Sequence, residues 1–278
     1  YKISCNDKEW GEIDLPMYVS RGVAEKYRNA WYRNIVNVPE NLKGKRVILR
    51  FEGAGYETHV WVNEEYAGFH RGGLTVFEME VSRYIKFGEG NLITIKCIND
   101  NVYPNANSLV FMHPKLAIWA PLKLVFVPQI YIKRTLISTN SKTSSIDVEY
   151  WIDNETGIKK KININSDIES YKDKTITDSA SFKNIALDPG LNKLNYSIKM
   201  KKPIYWELWE PYLYNLKIEL REENKGIDSL TERFGYRTFE AKGKNFYFNG
   251  RRIKLYGQTS YWLPLPQEVK PDKEERKR

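Results

Sequence analysis

Apolar and polar residues alternate with a period of two along most of this chain, and that pattern leaves room for little except sheet. Val47, Leu49 and Phe51 alternate with Ile48, Arg50 and Glu52, and Val60 and Val62 with His59, Trp61 and Asn63. Leu92 to Ile98 and Leu122 to Val127 read the same way. Farther on, Ile146, Val148, Tyr150 and Ile152 form one such set, Leu194, Tyr196, Ile198 and Met200 a second, and Leu216, Ile218 and Leu220 a third. Successive side chains of a strand point to opposite faces, so these are strands with one buried side. Turn-forming clusters separate them: Asn41-Leu42-Lys43-Gly44, Gly88-Glu89-Gly90-Asn91, Asn154-Glu155-Thr156-Gly157 and Asp188-Pro189-Gly190. Helical periodicity is confined to Val23–Ala30, a short helix at most. The expectation is an all-β chain of short strands at sandwich spacing.

Composition shifts near Pro128. Before it the chain is rich in Gly, Trp and His, with long connections such as Asn99 to Ala120; after it come Lys-, Ile- and Asn-rich strands with short turns, closing near Phe234-Gly235. Beyond them Phe246, Tyr247 and Phe248 lead into Asn249-Gly250, a dipeptide suited to a tight turn with two positive-φ residues. Ile253 and Leu255 then alternate with Arg252 and Lys254. We therefore place a larger sandwich at 1–128, a smaller one at 129–236 and a separate hairpin segment at 237–278.

The net charge of +9 is spread along the chain and interleaved with Asp and Glu. Only Lys159-Lys160-Lys161 and a tail of mixed sign make runs, which favours a solvated surface over a nucleic-acid partner. No run of eighteen apolar residues occurs, so no membrane-spanning helix is expected, and the first residues do not read as a signal peptide. Cys97, within LITIKCI, reads as a buried free thiol; a bridge to Cys5 has no support in the spacing. His59, His70 and His113 lack ligand spacing, and two cysteines alone make no zinc site, so neither metal nor cofactor is expected. So few cysteines fit the cytoplasm and a secreted or periplasmic protein alike. Aromatic residues reach 14%. Core packing accounts for most of them, and sugar-binding surfaces are their other common use.

A retaining glycosidase needs two carboxyl groups about 5 Å apart. Asn63-Glu64-Glu65 and Asn154-Glu155 are tempting, but each lies where a strand turns back, and exposed turn residues are the stronger reading. No Ser or Cys nucleophile motif stands beside a histidine, and Gly53-Ala54-Gly55 lacks the third glycine and following helix of a nucleotide fingerprint. Taken by themselves, the residues show no catalytic apparatus. Two stretches keep their interest. GFHRGGLTVFEME (Gly68–Glu80) holds three glycines and a histidine, and a bulged hairpin is favoured there over ligand contact. INDNVYPNANS (Ile98–Ser108) follows a strong strand and is equally a binding loop or an ordinary turn-rich connection.

In this order the stretches resemble the front end of glycoside hydrolase family two, the β-galactosidase, β-glucuronidase and β-mannosidase group. Trp31-Tyr32-Arg33, Pro39, Leu49 to Gly53, Val60 to Asn63 and Gly68 through Phe77 are similar to the family's sugar-binding jelly roll. Trp206, Pro211, Leu213-Tyr214 and Phe234-Gly235-Tyr236-Arg237 are similar to the end of its immunoglobulin-like domain, and FYFNGRRIKLYGQ to the start of its catalytic (β/α)₈ barrel. The resemblance covers nearly the whole chain. It implies a jelly roll, an immunoglobulin-like sandwich and the first hairpin of a barrel.

For activity, the resemblance implies a parent enzyme that is a retaining β-glycosidase, β-galactosidase-like, acting on terminal non-reducing β-linked sugars. One glutamate would serve as acid/base and another as nucleophile, both within the barrel. A barrel takes about 250 residues, and only about forty follow residue 236, so this chain alone is expected to be inactive. In some members the loop matching Asp100-Asn101 reaches the active site and touches sugar or a metal, which implies substrate contact by Asp100 first and Asn101 second. Carbohydrate is the implied partner, with no nucleic acid and no membrane, and a homo-oligomer stays open. The sequence departs from the family at Glu64, where Gly is usual, at Leu116-Ala117-Ile118-Trp119-Ala120 in place of Gly-Gly-Ile-Tyr-Arg, and at Gln258 to Tyr261 in place of an Asn and a His-Glu pair. The competing reading is a stand-alone carbohydrate-binding or adhesion protein of two sandwiches.

Overall fold

A computed structural model describes residues 2–4, 10–16, 29–73, 75–98 and 117–257. It is all-β and divides into two compact units, one built from residues up to Phe126 and one from Val127 to Thr259.

The first unit is a jelly-roll sandwich. Its strands are β1 (Lys2–Ser4), β2 (Gly11–Glu12), β3 (Asn29–Asn37), β4 (Arg46–Phe51), β5 (Glu57–Val62), β6 (Glu65–Arg71), β7 (Phe77–Glu80), β8 (Gly90–Ile98) and β9 (Leu122–Val127). One sheet runs β2-β1-β3-β8-β5-β6 and the other β7-β4-β9. The alternation works as expected on β5, where Thr58, Val60 and Val62 are buried while Glu57, His59 and Trp61 face away from the core. Tyr32, Leu49, Phe51, Ile93, Ile95 and Ile118 fill the space between the sheets. Asn29 and Ala30 open strand β3, paired with Ile98 and Cys97. They are thus not part of the short helix expected at Val23–Ala30, the rest of which lies outside the described residues. Strand pairing wins because it buries Ala30 fully in the sheet.

The β5–β6 turn explains Asn63-Glu64. Both residues have positive φ, 51° and 71°, as a two-residue hairpin turn requires. Asn63 is also fixed through its side chain, which accepts from Leu92 N–H at 3.0 Å and donates to Asn91 at 2.9 Å. Glu64 is exposed at the tip, where a glycine would adopt this φ without strain.

The second unit holds an immunoglobulin-like sandwich: β10 (Ile130–Asn140), β11 (Ser145–Asn154), β12 (Lys160–Ser170), β13 (Ile176–Leu187), β14 (Gly190–Lys199), β15 (Tyr214–Glu222) and β16 (Lys225–Phe234). Sheet β10-β11-β14 faces sheet β13-β12-β15-β16 across Ile146, Tyr150, Ile152, Ile164, Ile168, Leu216 and Leu220. Tyr150 is buried with its hydroxyl 3.0 Å from Ser166 Oγ, so its polar end is satisfied inside the core. Asn154 belongs to the turn and not to a catalytic pair: its amide donates to Ile158 O at 2.9 Å and Asp188 O at 3.2 Å. Lys159 and Lys160 of the lysine run pair with Asp188 and Glu222.

A small sheet, β17-β18-β19, follows in the same unit, made of β17 (Phe239–Lys242), β18 (Asn245–Phe248) and β19 (Arg251–Ile253). Its side chains are largely exposed except Phe248.

Candidate functional site

Strand β8 ends at Ile98, beside Asn29 and Glu57. Asp100 and Asn101 come directly after it and lie outside the described residues. The chain is described again from Ala117, where Ala117 and Ile118 are buried in the core and Trp119 follows.

Trp119 explains the glycine at position 53. A Cβ on Gly53 would stand 2.5 Å from Trp119 Cζ2, so the indole lies directly on the backbone of residue 53. Ala120 N–H donates to Gly53 O at 3.2 Å and Glu52 N–H to Pro121 O at 3.0 Å, which seats the returning chain against that turn. Gly53-Ala54-Gly55 is therefore a seat for a side chain, not a phosphate cradle. Gly73 approaches Ala54 O closely enough that a Cβ would lie 3.1 Å from it, and Gly72, at φ +127°, donates its N–H to Tyr56 O at 2.7 Å.

The stretch Gly68–Glu80 is not the bulged hairpin expected: β6 pairs with β5 in one sheet and β7 with β4 in the other, so the chain crosses between the sheets here, and the bulge belongs to the β5–β6 pairing. The β5–β6 register shifts between Val60 and Trp61, opposite Gly68 with φ +147°. His70 stacks on Phe77 at 3.9 Å between ring centroids, and Phe77 on Phe51 at 4.5 Å. His70 Nε2 is buried without a hydrogen-bond partner among the described residues, and burial pushes the imidazole below its ordinary pKa, toward the neutral form. Glu57, at the same end, takes Arg71 Nε on one oxygen at 2.6 Å and His59 Nε2 on the other at 2.8 Å. The Arg71 bond first, and the His59 bond next, hold its carboxyl below the usual range. Glu149 beside Lys193 and Glu169 beside Lys217 are lowered likewise. A general acid for glycoside cleavage needs the opposite shift. Among the described residues no cluster of three or more His, Cys, Asp or Glu is placed to hold a metal ion.

In the second unit the motif residues Phe234 to Arg237, Trp206 and Asn249 form one knot. Trp206 N–H donates to Tyr236 O at 2.8 Å, and a Cβ on Gly235 would lie 2.9 Å from Trp206 Cδ1. The Arg237 guanidinium stands 5.5 Å from the centre of the Trp206 indole, and Phe248 meets that ring edge-on at 5.7 Å. Tyr236, fully buried, donates its hydroxyl to Asn140 O at 2.9 Å. Asn249 and Gly250 have φ 48° and 77°. The Asn249 side chain accepts from Thr238 N–H at 2.9 Å and donates to Trp206 O at 2.9 Å and Glu207 Oε1 at 3.2 Å. Local sequence marks Asn249 only as a turn residue; its bond to a carbonyl 43 residues earlier needs the fold.

The family model described as glycosyl hydrolases family 2, sugar binding domain, matches residues 7–108, and the model described as glycosyl hydrolases family 2 matches residues 125–237. A β-galactosidase of Thermoanaerobacter pseudethanolicus is 30% identical over 91% of this chain and 34% of its own length. A β-glucuronidase of Formosa agariphila is 28% identical over 95% of this chain and 31% of its own. The chain thus spans about a third of the length of these curated relatives. A solved β-glucuronidase from glycoside hydrolase family 2 superposes with a TM-score of 0.72 at 27% identity, covering 82% of this chain and 26% of that one. The two family models together match well over half of the chain, and the chain belongs to glycosyl hydrolases family 2.

Proposed function

We propose that this chain is the non-catalytic amino-terminal part of a retaining β-glycosidase that hydrolyses terminal non-reducing β-linked sugars. In this reading both catalytic glutamates lie in a barrel outside this sequence, and the chain alone is inactive. The observation that carries the reading is the alignment of nearly the whole chain with a third of a β-galactosidase and of a β-glucuronidase. The depressed carboxyls of Glu57, Glu149 and Glu169 agree with it, since none is tuned as an acid catalyst. Asp100 and Asn101, in the connection after β8, contact substrate in the complete enzyme; Asp100→Ala there raises KM more than it lowers kcat.

The test compares this chain with the same chain joined to the residues that follow it in its gene, on aryl β-galactoside and aryl β-glucuronide. The joined protein turns over at least one of them with retained anomeric configuration, read by proton NMR, while the chain alone turns over neither. Turnover by the chain alone, inversion of configuration, or a gene that stops after Arg278 overturns the reading.

A further inference from the structure

The face of the six-stranded sheet turned away from its core carries rings in register. Strand pairing sets Trp31 beside Lys96, Lys96 beside His59 and His59 beside Phe69, one row across β3, β8, β5 and β6. The next row runs Arg33, Thr94, Trp61, Tyr66. The Trp31 and Trp61 rings lie 5.4 Å apart, Trp61 and Tyr66 5.3 Å, and His59 and Phe69 5.5 Å. His59 is held between Tyr66 and Glu57, bonded to the Tyr66 hydroxyl at 2.9 Å through Nδ1. Tyr66 and Phe69 are 47% and 54% exposed, too much for a second core. A cleft of about 700 Å³ adjoins the rows through Arg33; Trp10, Ile35 and Leu92 wall it, with Lys2, Glu12 and Asp14 among its other lining residues, so a carboxylate-binding position is placed at Lys96 and not in this cleft.

Lys96 stands at the centre of this surface. Its ammonium rests 4.8 Å from the centre of the Trp31 indole, and no carboxylate among the described residues pairs with it. The neighbouring carboxylate, Glu57, is engaged by Arg71 and His59. A two-fold contact with a second copy would bring like-charged surfaces together, which is costly. An aliphatic partner would desolvate the ammonium without compensation. A sugar chain suits the surface better. Its rings offer apolar C–H faces to the indoles, its hydroxyls bond to the polar tips, and a carboxylate on the chain answers Lys96.

We propose that this face binds an acidic β-linked oligosaccharide, with Lys96 taking a uronic carboxylate and Trp31 and Trp61 stacking on adjacent sugar rings. The proposal rests on the carbohydrate-acting reading above, but its test is binding by this chain alone, so either can fail without the other. The probes are a β-1,4-linked glucuronic acid tetrasaccharide and its neutral counterpart cellotetraose, titrated into the whole chain by calorimetry and by tryptophan fluorescence. The acidic chain binds at least about tenfold more tightly, and its affinity falls as salt rises. Lys96→Met, which keeps the stem over Trp31, and Trp61→Ala each weaken binding about tenfold or more. Lys96→Met decides alone should Trp61→Ala fail to fold. Equal affinity for the two tetrasaccharides, no binding of either, native affinity in Lys96→Met, or a concentration-dependent dimer lost in Trp61→Ala without sugar binding overturns the proposal.

Discussion

Replacing Asn249 by alanine tests whether the knot around Trp206 is held as its geometry indicates. The substitution removes three side-chain hydrogen bonds, to Thr238 N–H, Trp206 O and Glu207 Oε1. Each such bond contributes about 0.5–1.5 kcal/mol net, less where water can replace it, as it can at this half-buried site. Alanine must also adopt φ 48°, which costs an L-residue about 1 kcal/mol. With each bond near the low end of that range because the site is half-exposed, the sum is about 2–3 kcal/mol of local stability. Glycine at the same place loses the bonds but not the conformation, so Asn249→Gly falls between native and Asn249→Ala. The assay is amide hydrogen exchange in the native state, read at Thr238, Asn249 and Trp206, because the small β17-β18-β19 sheet can open without unfolding the sandwich. An opening cost reduced by about 2 kcal/mol speeds exchange there about thirtyfold. Amides of β11 and β12 keep their native rates. Exchange at Thr238 unchanged in Asn249→Ala, or faster in Asn249→Gly than in Asn249→Ala, would show that the side chain does not bridge these segments.

Three further outcomes follow from the same geometry. Cys97 is fully buried and its thiol is pushed up to about 12, chiefly by burial; in a Cys5→Ser variant at pH 8 the native chain resists thiol reagents and becomes reactive only on denaturation, and fast native labelling would contradict this. The Glu57 carboxyl is lower in the folded chain than its ordinary 4.5, so its contribution to stability is full above that value and is lost as pH falls through the folded value; Glu57→Gln therefore flattens the acid limb of the melting curve between neutral pH and pH 3, and a limb of unchanged slope would refute the assignment. Gly53→Ala forces a methyl group against the Trp119 ring, an overpacking cost of about 1–3 kcal/mol; a lower melting temperature and a shifted tryptophan emission are expected, and native values for both would mean the indole is not seated there.

What could be read from the sequence is what is local. Period-two alternation marks β5, β11 and β15, because burial on one face is imposed residue by residue along a strand. Asn249-Gly250 marks its turn, because the dipeptide itself tolerates the two positive φ values. Gly53 could not be read in the same way. Its neighbours only exclude a nucleotide fingerprint, and the reason for a glycine is Trp119, brought against it from across the long connection after β8. Val23–Ala30 failed at its end for a related reason: a weak helical period at Ala30 yields to a strand partner, Cys97, that only the fold supplies.

The aromatic face shows where local patterning stops being informative. Alternation predicts that His59 and Trp61 point outward from β5, and they do. Tyr66 and Phe69 are three residues apart, and on a regular strand they would face opposite sides. The register shift between Val60 and Trp61 pairs Tyr66 with Trp61 and Phe69 with His59, which places both on the outer face. Lys96 joins them only because β8 lies between β3 and β5 in the sheet. A cation with no carboxylate partner among the described residues, set among rings, is therefore a product of strand order and one bulge. Its residues lie on four strands that no local pattern would group.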